Sequence, residues 1–184
     1  MGAKEQAADP NARRYEIYRE TARNFTEVII QMAASNSPLP RRILMPPEAA
    51  FATLSEIDDR ALAAAGGWHF PWRRIVGQAR PYFRRFELAL WYRNDLYGLA
   101  VGRASRGPDN VTIHFLERAS GNNPFAGYFA QITADSADRY AKLLGRQMVK
   151  LKNPVPGAVP KYQALGFSVA ETIKGNTYYS RQVK

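Results

Sequence analysis

Tyr15, Tyr18, Ala22, Phe25, Ile29 and Met32 recur at alternating spacings of three and four through an otherwise polar stretch, which is the period of one helix face. Asp9-Pro10 ahead of them supplies an N-cap and a first-turn proline, so the pattern predicts one long amphipathic helix. Its stripe is expected to pack on the chain's own core; a homodimer seam is the alternative, but sustained coiled coils need more heptads. Ser37-Pro-Leu-Pro40 and Pro46-Pro47 mark an irregular connector. Leu54, Ile57, Ala61 and Leu62 suggest a second helix ending at Gly66-Gly67, with no strand evident before it.

The segment Trp68-His-Phe-Pro-Trp72-Arg-Arg74 then opens a basic helical stretch running to Arg85. Beyond it the period changes to two. Phe86, Leu88, Leu90 and Tyr92 alternate with Glu87, Ala89 and Trp91 as in a strand, and Asn94-Asp95 supplies a tight turn. Leu96–Val101 reads as a buried strand, Gly107–Asn110 as a second turn, and Val111–Arg118 as a third strand with Val111, Ile113, Phe115 and Glu117 on one face. The loop Gly121–Gly127 leads into a helix striped by Phe129, Ile132, Ser136, Tyr140 and Leu144 and stopped at Gly145. Gln147–Lys152 is a further strand, and Phe167–Ala170 with Thr177–Arg181 a closing hairpin around Gly175-Asn176.

The 184 residues, 46% apolar, suffice for one packed domain. No apolar run reaches the roughly 18–20 residues of a bilayer span, and the first ten residues lack a signal-peptide core. Residues 1–10 are expected to form a flexible N-terminus in a cytoplasmic protein. Cysteine is absent and only His69 and His114 supply imidazoles, so no metal site is expected. The net charge of +10 is uneven: residues 1–60 hold eight Lys/Arg against nine Asp/Glu, the remainder 18 against seven. That basic field suits a phosphate-bearing cofactor, an acidic substrate or nucleic acid, without choosing among them.

The segment Asn153-Pro-Val-Pro-Gly-Ala-Val-Pro-Lys-Tyr162-Gln-Ala-Leu-Gly166-Phe167 joins a strand end, a short helix with a tyrosine, and a Gly-Phe strand start. In this order it resembles the closing segment of the GNAT superfamily of acyl-CoA N-acyltransferases. The order of elements from about Trp68 onward is also similar to that family. Phe86–Trp91, Leu96–Gly102, Asn123–Gly127 and Asn153–Val155 look like a subgroup of bacterial or mobile-element acetyltransferases. The resemblance implies an α+β fold in α/β/α layers: a mixed, mainly antiparallel twisted sheet with flanking helices and an extra N-terminal helix. One GNAT-like domain would span 11–184, with 11–67 a helical part and 68–184 the best-matching core.

The resemblance also implies an acetyl-CoA-dependent N-acetyltransferase. Tyr162 stands four residues before Gly166, where the family places the acid that protonates the departing thiolate; a phenol with an ordinary pKa near ~10 can do so. Pro160 is expected to shorten or kink the helix carrying it. The family's phosphate loop would be Asn122-Asn-Pro-Phe-Ala-Gly127, with Asn122 and Phe125 departing from the usual residues and Pro124 lacking an amide. Asn122, Asn123, Phe125, Ala126, Gly127 and Tyr128 are its cofactor candidates, cradling phosphates at a helix N-terminus. Leu116 and Glu117, on a strand splayed from Gln147–Lys152, would meet the pantetheine arm and thioester oxygen. Arg118 would aid the phosphates, Asn153 would hold the cofactor or cap the next helix, and Glu117 is the candidate base, with a water chain as its alternative. His114 is expected to be a strand histidine on the opposite face, and His69 to be structural.

Arg73, Arg74, Arg80, Arg84 and Arg85, interleaved with Trp72, Tyr82 and Phe83, lie where the family binds its acceptor; Arg73, Arg74, Arg84 and Arg85 are the substrate candidates. The acceptor is an amine on a small molecule, a protein or an aminoacyl-tRNA. A toxin-like enzyme acting on charged tRNA and a non-catalytic module binding nucleic acid or protein are the other readings. In those, phosphates would pair with arginines while rings stack on bases.

Overall fold

A computed structural model of the chain describes residues 10–35, 44–79 and 84–184. The elements are helices α1 (Pro10–Ala34), α2 (Asp59–Ala64), α3 (Trp72–Ala79), α4 (Phe129–Leu143) and α5 (Val159–Ala164). The strands are β1 (Ala52–Ser55), β2 (Arg85–Tyr92), β3 (Asp95–Ala104), β4 (Asn110–Arg118), β5 (Met148–Lys152), β6 (Ser168–Ile173) and β7 (Asn176–Gln182). All the strands form one sheet, ordered β1-β2-β3-β4-β5-β7-β6. Every pairing is antiparallel except β4 with β5, which are parallel and joined by α4. This is the mixed, mainly antiparallel sheet expected from the family resemblance. Of the flexible N-terminus expected over 1–10, Pro10 instead opens α1; residues 1–9, the prolines of Ser37–Pro40, and Arg80, Tyr82 and Phe83 lie outside the described residues.

Helices cover both sheet faces. On one, Phe86, Leu88, Leu90, Val111, Ile113, Val149 and Leu151 pack with Tyr15, Ala22 and Ile30 of α1 and with Phe129, Ile132 and Tyr140 of α4. On the other, Ala89, Trp91, Leu99 and Val101 meet Leu62, Trp72, Ile75 and Val76. Strands β2 and β3 are therefore buried on both sides. Gly98 permits the α4 contact: a Cβ there would stand 2.5 Å from the Phe129 ring.

The first helix forms, but its buried face departs from the predicted stripe. Tyr15, Ala22, Thr26 and Ile30 face inward, with Arg23 beside them, whereas Phe25 and Met32 are exposed. Thr26 can be buried because its hydroxyl donates to the Ala22 carbonyl at 2.8 Å. Phe25 instead lies beneath the Arg139 guanidinium, 4.3 Å from the ring centroid.

A second correction concerns Leu54, which belongs to β1 and not to a helix. Only Ala61 and Leu62 of that predicted group sit on α2. Four residues are too few for a periodic signal, and α1 supplies what the short edge strand lacks. Glu27 Oε2 accepts the Leu54 amide at 2.7 Å, and Gln31 Nε2 donates to the Ala52 carbonyl at 2.9 Å. Arg85, expected at the end of a helix, begins β2. The closing hairpin turns at Lys174-Gly175, one residue earlier than expected, with φ of 48° and 74°.

Candidate active site

Strands β4 and β5 pair from Asn110–Met148 to Ile113–Leu151 and then part. Immediately beyond the last pair, β4 carries a bulge: Gly102 of β3 faces Ile113 and Val101 faces Phe115, leaving His114 as the extra residue. Gly102 is required there, because a Cβ would approach the Thr112 carbonyl oxygen to 2.2 Å. The bulge reverses the face expected for the end of β4. Val111 and Ile113 pack toward α4, whereas Phe115 joins the α3 side.

The opening holds about 410 Å³ of empty space, open to solvent. Its walls are Phe70, Ile113, His114, Phe115, Leu116, Leu151, Lys152, Asn153, Pro154, Val155 and Tyr162. Phe70 and Phe115 meet edge to face, 5.4 Å between centroids. Phe70, Phe115 and Lys152 were not candidates in the sequence. Their only signal was position, on a loop and at two strand ends that converge through the fold.

Tyr162 lines this cleft from α5 and is 7% exposed. Burial raises its pKa, which keeps the phenol protonated. The turn Pro156–Ala158 runs directly into α5, and Pro160 occupies the first helical turn, where its missing N–H costs nothing. The helix is short, at six residues. At the other end Phe167 N donates to the Tyr162 carbonyl at 3.0 Å and Gly166 N to that of Gln163 at 2.9 Å, a Schellman closure with Gly166 at φ 89°. Phe167 thereby sits edge-on to Tyr162 at 6.3 Å.

The loop before α4 has a different internal logic from that expected. Asn123 is buried, its Nδ2 donates to the Tyr97 and Ala119 carbonyls at 3.1 Å each, and its Oδ1 accepts the Phe125 amide at 2.8 Å. The Phe125 ring is fully buried between Tyr92 and Tyr97, so Phe125 anchors the loop and offers a ligand neither ring nor amide. Ala126 and Tyr128 also spend their amides internally, on Asn123 and Phe125 carbonyls. Among the described residues, the amides of Gly127, Ala130 and Gln131 have no acceptor. Three donors at the start of a 15-residue helix suit a phosphate, and Gly127 has no atom near the place of a Cβ. Asn122 is exposed beside them, and Arg118, at the end of β4, is exposed with Nη1 3.4 Å from the Ala119 carbonyl.

Glu117 does not line the cleft. Its carboxylate accepts the His69 amide at 2.6 Å, the Phe70 amide at 3.1 Å and Trp72 Nε1 at 2.8 Å. It fastens the loop before α3 to β4, and so positions Phe70 in the cleft wall; this arrangement departs from the candidate base. His69 itself is exposed against Phe70. Asn153 does line the cleft, at φ 47°, but its side chain binds β7: Oδ1 accepts the Thr177 amide and Nδ2 donates to Asn176 Oδ1, both at 2.8 Å. His114 has its pKa pushed down to about 4 by burial, with Arg103 and Lys152 adding repulsion, and is uncharged at neutral pH.

The candidate arginine cluster is divided. Arg73 and Arg74 are exposed on α3. Arg84 Nη1 donates to the Ser105 carbonyl at 3.3 Å, and Arg85 pairs with buried Glu87 at 2.8 Å. Among the described residues, no group of His, Cys, Asp or Glu is arranged to hold a metal ion, and no helix is long and apolar enough to cross a membrane.

No family model and no curated protein matches the sequence. Solved structures do match its shape. A GNAT-family protein from Desulfovibrio desulfuricans superposes with a TM-score of 0.54 and 13% identity, over 72% of this chain and 99% of that one. A Bacillus subtilis acetyltransferase in complex with CoA gives 0.53 at 17% identity, over 72% and 98%. The ribosomal-protein-S18-alanine N-acetyltransferase of Escherichia coli gives 0.52 at 16%, over 72% and 94%. Sheet order, the β4–β5 parting and these likenesses agree: the chain has the GNAT fold.

Proposed function

We propose that this protein is an acetyl-CoA-dependent N-acetyltransferase that passes the acyl group directly to a primary amine. The observation that carries the reading is the parting of β4 and β5 around a cleft into which Tyr162 projects. Unpaired β4 backbone beyond Ile113 can take an extended pantetheine arm, and the free amides of Gly127, Ala130 and Gln131 can take its phosphates. The neighbour solved with CoA supports acetyl-CoA as the donor class. Bound there, acetyl-CoA supplies a thioester whose leaving group is a thiolate.

Tyr162 holds the proton that this sulfur receives. Burial raises its pKa, so the hydroxyl meets the departing sulfur as the neutral, donating form. The amine attacks as the free base, and its proton leaves to water, since Glu117 is absent from the cleft wall and its carboxylate holds the loop before α3. Leu116 and Asn153 shape the two sides of the arm's path, while Asn123 and Phe125 hold the α4 N-terminus in place. Arg118 and Asn122 flank the phosphate end. The acceptor enters past Phe70 and Phe115, with exposed Arg73 and Arg74 nearby on α3 as its contact candidates. Because Arg84 and Arg85 are engaged elsewhere, the described residues give the charged-tRNA reading no continuous basic helix.

Isothermal calorimetry with acetyl-CoA, followed by thiol release against a panel of amines, tests this function. Micromolar binding and amine-dependent release are expected. Absence of acetyl-CoA binding, with retained RNA or DNA binding, would support the non-catalytic module instead.

A further inference from the structure

Arg181 lies outside the cleft, on β7, yet is 5% exposed and makes four contacts, two at the C-terminal end of the helix carrying Tyr162 and two on α4. Its Nη1 donates to the Leu165 carbonyl, at the C-terminal cap of α5, at 2.8 Å. Its Nη2 reaches Asp138 Oδ2 at 2.5 Å and Asp135 Oδ1 at 3.5 Å, both on α4. The guanidinium also lies over the Phe167 ring, 4.8 Å from the centroid. Phe167 in turn rests edge-on against Tyr162, and its amide closes α5 on the Tyr162 carbonyl.

We propose that Arg181 is a positioning residue for Tyr162, clamping α5 to α4 so that the phenol and the amides at the start of α4 keep one fixed separation. The inference rests on reading Tyr162 as the acid. Its physical basis is the fork of the guanidinium. A planar group with several fixed donors satisfies a helix-end carbonyl and a carboxylate together while stacking on a ring. A lysine ammonium has the charge but not that geometry. Lys184 Nζ, 3.4 Å from the same Leu165 carbonyl, is exposed and is a weaker tether. Reaction geometry is sensitive to such support, since a displacement of about 1 Å can cost on the order of a hundredfold in rate.

The test uses the full chain with tyrosine ring carbons labelled at the hydroxyl-bearing position, the Tyr162 signal being assigned by its loss in Tyr162→Phe. In Arg181→Lys the titration midpoint of Tyr162 should fall toward the ordinary tyrosine value, as the ring gains solvent, while acetyl-CoA binding by calorimetry persists. Thiol release from acetyl-CoA, with the fastest amine of the panel, should drop roughly tenfold or more. In the Tyr162→Phe background the same substitution should cause no further drop. An unmoved Tyr162 titration, or rate losses that multiply in the double variant, would overturn the proposal. If Tyr162→Phe alone leaves thiol release unchanged, the acid reading fails, and the titration still decides whether Arg181 sets the ring's environment. Should Arg181→Lys fail to fold, Asp138→Asn carries both measurements, because it keeps the side chain's shape and weakens the hold on Nη2.

Discussion

The state of the Tyr162 hydroxyl is set by what surrounds it. Its burial favours the neutral phenol, the form that the proposed acid role requires. Tyr162→Phe should lower turnover on the order of 10²-fold with acetyl-CoA affinity nearly unchanged, read by steady-state thiol release beside calorimetry. His114 and Asp138 make opposite demands on pH. The His114 pKa is depressed to about 4, so its contribution to stability is present above its ordinary 6.5 and is lost as pH falls toward 4. The Asp138 pKa is raised to about 6 by burial, Arg181 notwithstanding, so its contribution is present below its ordinary 3.8 and is lost as pH rises through 6. Between pH 4 and 6, thermal midpoints of His114→Gln should therefore fall with rising pH relative to the parent, and those of Asp138→Asn should rise. Identical pH profiles in all three proteins would refute both assignments.

Elements here are fixed by a few polar side chains that sit between them. Asn123 is the clearest case: one buried amide holds the β3 end, the β4 end and the turn before α4. Asn123→Ala should cost about 1–3 kcal/mol in urea unfolding, because two carbonyls and one amide each lose a hydrogen bond in a buried site. It should also weaken acetyl-CoA binding, since the α4 amides would no longer be held. Gly98 sets how closely α4 approaches the sheet. Gly98→Ala drives a methyl into the Phe129 ring and should cost about 1–3 kcal/mol in the same assay.

At the scale of the whole molecule, α1 precedes the sheet and packs on α4 and β1. Ile30 and Ala22 are 1% exposed, and Glu27 and Gln31 complete the β1 edge. Deleting residues 1–35 should therefore leave an open strand edge and an uncovered helix, seen as aggregation in light scattering and as loss of a cooperative melt. Retention of a sharp transition in the deleted protein would show that the sheet and α2–α5 stand alone.

The sequence by itself determined the long first helix, the strands from Phe86 to Arg118, the order of elements from Trp68 onward, and the short helix that carries Tyr162 ahead of Gly166, because local period and the Tyr–Gly spacing are properties of consecutive residues. It did not determine which face α1 buries, since that depends on Thr26 finding a carbonyl and on Arg139 arriving over Phe25 from another helix. Nor did it reveal β1, whose hydrogen bonds on one side come from side chains more than twenty residues away. At the site, the bulge at His114 reverses the end of β4, and Glu117 is claimed by a loop 45 to 48 residues distant. Such roles belong to tertiary contacts, because a carboxylate, a buried asparagine or an arginine acts through whichever donors and acceptors the fold brings within about 3 Å of it.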